Sequence, residues 1–274
     1  MKYKQLGKTK EKIPVLGQGT WVQDELVVEQ EKAYYEKWKT SILKGIELGM
    51  TLIDSAEIYG EGKAEEMIGE VIKESNRDEL FIATKVFSAN LKHDDCIKAC
   101  ERSLKRLGIK IIDLYQIHWP NATIPIEETM GALEQLVKDG KIRHIGLSNF
   151  GVNGVERAIQ AMKKEEIVSH QIEYSPGLRR VERKIFPQCI KEGMTLLAYS
   201  PLGSDGFRTL KDRKKASLEE LAKKHEASIY QVALKWLTEK QNVVAIPKAM
   251  SMDHVIQNAK SVDINISAED LSTI

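Results

Sequence analysis

Residues 111–148 read IIDLYQIHWPNATIPIEETMGALEQLVKDGKIRHIGLS and contain one complete strand–helix–strand unit. The apolar runs Ile111–His118 and Ile142–Ser148 are continuous rather than alternating, as expected for parallel strands that are covered on both faces. Between them, Glu127 to Lys138 has the spacing of a helix. This order of elements is the βαβ unit of α/β proteins.

The same unit recurs along the whole chain. Eight such units predict a (β/α)8 TIM barrel rather than the alternative, an open doubly wound sheet. Residues 1–12 are expected to form a short β-hairpin that caps the barrel bottom, and Leu218 to Lys240 is long enough for two helices, the second capped by Ser228. From the second run on, most of the apolar runs begin about thirty residues apart, and the eight runs are Ile13–Gly17, Met50–Asp54, Leu80–Lys85, Ile111–His118, Ile142–Ser148, Ile167–Gln171, Met194–Ser200 and Val243–Lys248.

Composition and charge exclude several classes of protein. The 274 residues suit one domain spanning 1–274, and 42% hydrophobic with 30% charged residues exclude a disordered or fibrous chain. Lys and Arg number 41 against 40 Asp and Glu, which argues against a nucleic-acid binder or a polybasic membrane anchor. Three cysteines are too few for a disulfide framework, and no apolar segment suits a membrane span or a signal peptide. We therefore expect a cytoplasmic protein, and a monomer.

Polar side chains close most of the predicted strands. Asp54 ends the second run, Lys85 the third and His118 the fourth. The carboxyl ends of the strands meet at one face of a TIM barrel, where its enzymes carry out their chemistry. A structural ion pair or a satisfied core histidine would explain any one of these residues equally well. A charged or imidazole side chain at the end of an apolar strand is costly to bury unless it is paired. Three of them on successive strands are therefore poorly explained as independent accidents, and the set favours an active site.

Tyr59 follows Asp54 by five residues, in the turn that ends with Gly60. A nearby Lys85 ammonium would stabilise the phenolate and lower a phenol pKa that begins near ~10. Asp54 would hold that lysine charged, and His118 would hydrogen-bond a substrate carbonyl. A proton donor, a group that tunes it and a polarising group match carbonyl reduction. The hydride has no source in the protein, so we expect a nicotinamide cofactor.

The cofactor is expected to lie across the later strand ends, where amide and hydroxyl groups follow the apolar runs. Ser148, Asn149 and Gln171 suit the carboxamide of nicotinamide, and Tyr199 suits stacking on its ring. Three further residues suit the phosphates: Leu202 and Ser204 for the pyrophosphate, and Lys248 for an adenosine phosphate. Gly17-Gln-Gly19 lacks the third glycine of a dinucleotide fingerprint, so we interpret it as a tight turn.

Short motifs at the strand ends match one family in order along nearly the whole chain. On these residues the sequence resembles the aldo-keto reductase superfamily. No single motif is decisive, but the ordered set is specific. It consists of Gly17-Gln-Gly19-Thr20-Trp21, Leu52-Ile-Asp54-Ser-Ala-Glu-Ile-Tyr59-Gly60, Ile82-Ala-Thr-Lys85, Leu114-Tyr-Gln-Ile-His118-Trp119-Pro120, Gly140-Lys-Ile-Arg-His-Ile-Gly-Leu-Ser148-Asn149-Phe150, Gln171-Ile-Glu-Tyr174, Tyr199-Ser-Pro-Leu-Gly203 and Ile246-Pro-Lys248.

The resemblance implies a barrel that reduces aldehydes and ketones to alcohols with NADPH. It implies a catalytic tetrad of Asp54, Tyr59, Lys85 and His118, with Tyr59 as the general acid. The short prokaryotic members, which act on small aldehydes, keto sugars or methylglyoxal, look most similar. The resemblance also implies further contacts: Gly19, Thr20, Ser200, His254 and Asn258 with the cofactor, and Trp21, His118 and Trp119 with the substrate.

Two departures from the family pattern concern the cofactor and the substrate. Many members have a serine directly after the last strand's lysine and an arginine six residues on, whereas this chain has Ala249 and His254. Lys248 and a histidine, which carries little charge at pH 7, would then face the 2′-phosphate. We expect NADPH to be preferred only modestly, with NADH also accepted. The long C-terminal loop of larger members is absent, which predicts an open pocket.

Two other functions remain possible from the residues. One is a lyase or aldolase that uses Lys85 as a Schiff-base nucleophile. The other is a cofactor-binding regulatory barrel, since related barrels serve as subunits of potassium channels. His93, Cys96 and Cys100 have a spacing that suggests a metal site. Buried cysteine on an amphipathic helix is the commoner explanation, so we expect no metal.

Overall fold

The computed structural model describes residues 1–22, 31–208 and 210–274. None of the helices in these three ranges is long and apolar enough to cross a membrane. In chain order the strands and helices are β1 (Tyr3–Gln5), β2 (Lys12–Pro14), β3 (Gln18–Gly19), α1 (Glu31–Glu47), β4 (Leu52–Asp54), α2 (Lys63–Lys73), β5 (Phe81–Val86), α3 (His93–Leu107), β6 (Ile112–Ile117), α4 (Ile126–Lys138), β7 (Ile142–Ser148), α5 (Val152–Ala161), β8 (Ile167–Glu173), α6 (Ile185–Glu192), β9 (Thr195–Tyr199), α7 (Asp212–Lys224), α8 (Ile229–Thr238), β10 (Val243–Ala245), α9 (Met252–Lys260) and α10 (Ala268–Ser272).

Strands β3 to β10 form one parallel sheet in which each strand pairs with the next along the chain. The two outer strands are joined as well. The Gly17 N–H donates to the Ala245 carbonyl at 2.8 Å, and the Gly19 N–H donates to the Pro247 carbonyl at 3.0 Å. These bonds close the sheet, so the predicted (β/α)8 barrel is confirmed, and all eight carboxyl ends lie at one face.

The barrel interior is apolar at its base and polar at its carboxyl end. Leu52, Phe81, Leu114 and Val244 belong to one buried cluster. Because side chains alternate between the two faces of a strand, residues two or four positions further on also point inward. On these strands the later inward positions are occupied by Asp54, Lys85, Gln116, His118 and Lys248. The alternation therefore brings the polar strand ends together above an apolar plug.

The N-terminal hairpin closes the other end of the barrel. Strands β1 and β2 pair antiparallel, as predicted, and Leu6 and Ile13 are fully buried in the interior cluster. The first apolar run was interpreted correctly only in part: Ile13 belongs to the hairpin, whereas Leu16 and Gly17 already pair with Ala245 of β10, just before β3 begins at Gln18. Ile13 is apolar because it plugs the barrel, and not because it lies in a barrel strand.

The helices pack on the outside of the barrel, and α3 shows why these segments are helical. Cys96, Ala99, Cys100 and Leu107 recur at helical spacing and are fully buried. The helix ends at Gly108, whose φ of 66° suits the left-handed conformation of a C-cap. The two cysteines are thus core residues, and among the described residues no group of three His, Cys, Asp or Glu could hold a metal ion.

The predicted division of Leu218 to Lys240 into two helices is also confirmed. Helix α7 ends at Lys224 and α8 begins at Ile229. The Ser228 side chain accepts a hydrogen bond from the Gln231 N–H, and the Gln231 side chain accepts one from the Ser228 N–H. This capping box satisfies backbone donors that a helix N-terminus otherwise leaves unpaired.

Candidate active site

A cavity of about 670 Å³ lies at the carboxyl ends of the barrel strands. Its position agrees with the rule that TIM barrels place their sites at this face. Most of the residues that the sequence singled out line it: Gly19, Thr20, Trp21, Asp54, Tyr59, His118, Trp119, Ser148, Asn149, Gln171, Tyr199, Ser200, Leu202, Ser204 and Lys248. Lys85 lies behind this wall, fully enclosed.

Asp54 and Lys85 form a buried ion pair at the floor of the cavity. The Lys85 Nζ donates to Asp54 Oδ2 and to the Ser55 carbonyl, both at 2.6 Å. Burial acts to lower the pKa of Lys85, but its interactions with Asp54, and with Tyr59, outweigh it and raise that pKa. The lysine is therefore held as an ammonium, as the sequence predicted.

Two amide side chains complete the shell of Asp54. The Gln171 Nε2 donates to Asp54 Oδ1 at 2.7 Å, and the Gln116 Nε2 donates to the same oxygen at 3.2 Å. Gln116 is a contact that sequence reasoning missed. Its signal was a single amide in an otherwise apolar stretch between Leu114 and Ile117. With both amides in place the buried carboxylate has donors on both oxygens, as a buried charge requires.

Tyr59 places its hydroxyl 3.4 Å from the Lys85 Nζ. Burial raises the pKa of Tyr59, and the Lys85 ammonium acts against that rise without cancelling it. The expectation of a lowered phenol pKa is therefore wrong for this structure, because desolvation of the phenolate outweighs the nearby charge. The direction of the lysine's effect was predicted correctly. At neutral pH the phenol carries its proton, which is the form that a general acid needs.

His118 faces Tyr59 across the cavity, with the two ring centroids 5.6 Å apart in an edge-to-face arrangement. Burial, helped by the Lys85 charge, lowers the pKa of His118 to about 3. The imidazole is therefore neutral at physiological pH and can donate one N–H hydrogen bond. Its Nδ1 is buried without a hydrogen-bond partner among residues 1–22, 31–208 and 210–274. These two rings frame the place where a carbonyl oxygen can accept hydrogen bonds.

The next strand ends hold a second group of polar side chains. The Asn149 Nδ2 donates to the His118 carbonyl at 3.0 Å, and the Tyr199 hydroxyl donates to Asn149 Oδ1 at 3.0 Å. Asn149 and Ser200 have φ values of 63° and 44°, in a region that non-glycine residues seldom occupy. Such conformations concentrate at binding sites, where surrounding contacts hold them.

The cavity wall also carries a cation, Lys248, close to two indole rings. The Lys248 Nζ lies 5.9 Å from the centre of the Trp21 ring and 5.8 Å from that of Trp38. Burial lowers the pKa of Lys248. The Trp38 Nε1 is buried and has no hydrogen-bond partner within the described ranges. Contacts with two aromatic faces hold the ammonium in place at the cavity wall.

Two predicted cofactor residues are not part of the cavity wall. His254 and Asn258 lie on α9, the helix that follows Lys248. His254 is exposed and Asn258 is buried. Their contacts with a cofactor stay predictions.

Comparison with known proteins adds independent findings. The model of the aldo/keto reductase family matches residues 15–274. The chain is 37% identical over 263 residues to methylglyoxal reductase YeaE of Escherichia coli, covering 96% of this chain and 90% of that protein. This chain belongs to the aldo/keto reductase family.

Solved structures of the family share this fold. The crystal structure of the thermostable aldo-keto reductase Tm1743, in complex with the inhibitor epalrestat, is 44% identical with a TM-score of 0.87, covering 99% of this chain and 98% of that one. An aldo-keto reductase of Klebsiella pneumoniae in complex with NADPH is 33% identical with a TM-score of 0.86, covering 99% and 94%. The family prediction is confirmed, and with it an NAD(P)H-dependent oxidoreductase that reduces aldehydes and ketones.

The residues of the cavity fit a nicotinamide dinucleotide. Amide and hydroxyl groups of Ser148, Asn149 and Gln171 line the cavity close to Asp54 and His118, and the Lys248 ammonium lines it beside Trp21. The Gln171 Nε2 is engaged by Asp54, which leaves its Oε1 as an acceptor for an amide N–H. The amide and hydroxyl groups match the carboxamide of such a cofactor, and the ammonium matches a phosphate.

Proposed function

We propose that this protein reduces small aldehydes, 2-oxoaldehydes such as methylglyoxal among them, with NADPH as the preferred cofactor and Tyr59 as the general acid. The methylglyoxal reductase of Escherichia coli supports the substrate class. The exposed rings of Trp21 and Trp119, at 53% and 48%, leave the cavity mouth open, which suits a permissive pocket. The expectation of a cytoplasmic monomer stays a prediction, and size-exclusion chromatography tests its oligomeric part.

One observation carries the proposal. The Tyr59 hydroxyl lies at the cavity wall, 3.4 Å from an ammonium that has no solvent exposure, and beside a histidine that is neutral. A proton donor with an adjacent cation and a neutral hydrogen-bond donor is the arrangement that carbonyl reduction needs. Tyr199 is the other tyrosine among the described residues that line the cavity, and its hydroxyl donates to Asn149 rather than contacting a lysine.

The chain's own groups then act on the carbonyl oxygen. The neutral His118 donates a hydrogen bond that polarises the carbonyl. Tyr59 transfers its proton to that oxygen as negative charge develops there, and Lys85 stabilises the resulting phenolate. Asp54, Gln116 and Gln171 keep Lys85 oriented. When it is bound, reduced nicotinamide supplies the hydride.

The contacts of Lys85 argue against a Schiff-base mechanism. Its Nζ is bonded to Asp54 and to the Ser55 carbonyl and is held as an ammonium. A Schiff-base lysine attacks as a neutral amine, which burial or a neighbouring cation must favour. A carboxylate partner has the opposite effect. The regulatory barrel is tested by turnover, since such a protein would bind cofactor and react slowly.

The experiment is a steady-state assay that follows NADPH absorbance with methylglyoxal and a panel of other small aldehydes. The proposal predicts turnover that saturates with aldehyde and requires the cofactor. Tight NADPH binding without turnover on any member of the panel would favour the regulatory barrel. Covalent trapping of substrate on Lys85 by borohydride would favour the lyase.

A further inference from the structure

The loop that carries Tyr59 contains three consecutive residues in the left-handed backbone conformation. Directly after Tyr59, Gly60, Glu61 and Gly62 have φ values of 55°, 55° and 95°. A left-handed conformation costs a non-glycine residue such as Glu61 roughly 1–2 kcal/mol. The segment therefore needs contacts with its surroundings to keep the tyrosine in one position.

Glu57 supplies such contacts two residues before Tyr59. Its backbone N–H donates to the Lys85 carbonyl at 3.2 Å. Its Oε1 accepts hydrogen bonds from the Phe87 N–H at 2.7 Å and from the Asn90 Nδ2 at 3.0 Å. The backbone and the side chain of one residue thus bind the same neighbouring segment, which is the end of β5 and the turn that follows it. That segment carries Lys85.

The Glu57 carboxylate is buried, with a side-chain exposure of 6%. The cation that pairs with it is Arg102, whose Nη2 lies 3.4 Å from the Glu57 Oε2 and whose side chain is 49% exposed. The two shorter hydrogen bonds, both to Oε1, come from neutral donors, the Phe87 N–H and the Asn90 Nδ2. Glu57 is therefore attached mainly through these two donors, and the partly solvated arginine contributes little.

We infer that Glu57 is a positioning residue for the reaction, which fixes the Tyr59 loop on the segment of Lys85 and so keeps the phenol within reach of the ammonium. The inference rests on the proposed role of Tyr59. The distance between the Tyr59 hydroxyl and the Lys85 Nζ is 3.4 Å, near the outer limit of a hydrogen bond. A displacement of about 1 Å would break it, and misplacements of that size can cost ~10²-fold in rate.

The test compares two substitutions of one side chain. Glu57→Ala removes the acceptor, and we expect kcat to fall by at least ~10-fold while the Kd for NADPH, measured by fluorescence, changes by less than about two-fold. Glu57→Gln keeps an Oε1 acceptor for Phe87 and Asn90, and we expect kcat within about three-fold of the parent. Arg102→Ala is the matched control, and it should retain the parent kcat.

Each outcome decides the inference once the parent enzyme shows turnover, and a parent without turnover would instead contradict the proposed function. Glu57→Ala at the parent kcat would overturn it, and so would a loss of NADPH affinity in parallel with kcat. Equal losses of kcat in Glu57→Ala and Glu57→Gln would also overturn the inference, because the glutamine retains the Oε1 acceptor. If the alanine variant does not fold, Asn90→Ala decides: a kcat reduced about three-fold with unchanged NADPH affinity supports the inference, and an unchanged kcat refutes it.

Discussion

Asp54 and Asp113 are both buried carboxylates that bind cations, but they lie at opposite ends of the barrel. Asp113, near the start of β6, accepts hydrogen bonds from Arg77 at 2.6 Å, from Arg143 at 2.9 Å and from the Ile82 N–H at 2.8 Å. The two arginine side chains are 29% and 48% exposed. Asp54 instead faces one lysine, which is fully enclosed.

The difference lies in what the cation can do. Arginine keeps its proton at any pH a protein meets, so the Asp113 group holds charge in place and moves no proton. Lys85 contacts a phenol that faces a cavity, and its charge changes how readily that phenol gives up a proton. A buried ion pair takes part in chemistry when its cation contacts a titratable group that faces a cavity. The predictions below test this distinction.

Tyr59→Phe should produce the largest change. The ring and its packing remain but the transferable proton is lost, so we expect kcat to fall by at least ~10² with little change in NADPH affinity. Steady-state kinetics together with a cofactor titration measure both quantities. Near-parent turnover in this variant would remove Tyr59 from the acid role.

Lys85→Met should lower kcat by roughly ~10 to 10²-fold, because the phenolate loses its stabilising charge. It also leaves Asp54 as an unpaired buried charge, which costs roughly 3–5 kcal/mol of stability. The double variant Lys85→Met/Asp54→Asn is the control. We expect it to recover most of the lost stability and none of the activity, as judged by urea unfolding and kcat. Parent-like reduction by either variant would refute the role given to the ammonium.

Asp113→Asn and Asp54→Asn should both lower stability, but only the second should lower kcat markedly. At position 113 the arginines can turn to solvent, and we expect the free energy of unfolding to fall by about 1–3 kcal/mol. The kcat of this variant should stay within about two-fold of the parent, because no reacting group contacts Asp113. Asp54→Asn should lower kcat, and because it leaves the enclosed Lys85 ammonium unpaired, it should also lower the free energy of unfolding by roughly 3–5 kcal/mol. A loss of kcat in folded Asp113→Asn as large as that in Asp54→Asn would contradict the comparison.

Sequence alone predicted the barrel and the clustering of Asp54, Lys85 and His118 because both depend on regular rules. Parallel strands end at one face, so Asp54, Lys85 and His118 had to meet there. The contact between Gln116 and Asp54 could not be predicted, because the two residues lie on β6 and β4, which are separated by β5. Whether their side chains meet across the barrel interior depends on how strongly the sheet curves. The net pKa shift of Tyr59 was predicted wrongly because the cost of burial cannot be estimated before the depth of the phenol is known.

Lowering the pH should decrease the stability of the protein without decreasing kcat. Burial lowers the pKa of His118 to about 3 and that of His170 to about 4. Between these values and the unfolded pKa of about 6.5, the unfolded chain binds more protons, so stability falls as the pH is lowered. We expect weaker resistance to urea at about pH 5 than at about pH 8.

Over that same range, kcat should show no acid limb from His118, because the folded imidazole stays neutral. His118→Gln is the control for the stability measurement, since it removes one of the two histidines and should reduce the acid-induced loss. A kcat that falls below about pH 6.5, with protein still folded, would show that His118 titrates in the active enzyme.

The smallest expected effect concerns the cofactor, and it tests a third region, where the sequence predicts that Lys248 and His254 face the 2′-phosphate. Lys248 lies at the cavity wall between two indole rings, whereas His254 is exposed on α9. Because a guanidinium binds phosphate through two parallel hydrogen bonds, His254→Arg should raise the ratio of kcat/KM for NADPH over NADH by about three- to ten-fold, through NADPH alone. Gln257→Arg adds the same charge to an exposed position of the same helix. If both variants raise the ratio equally, the added positive charge acts at long range rather than through a direct contact with the phosphate. If neither variant raises it, position 254 lies away from the phosphate.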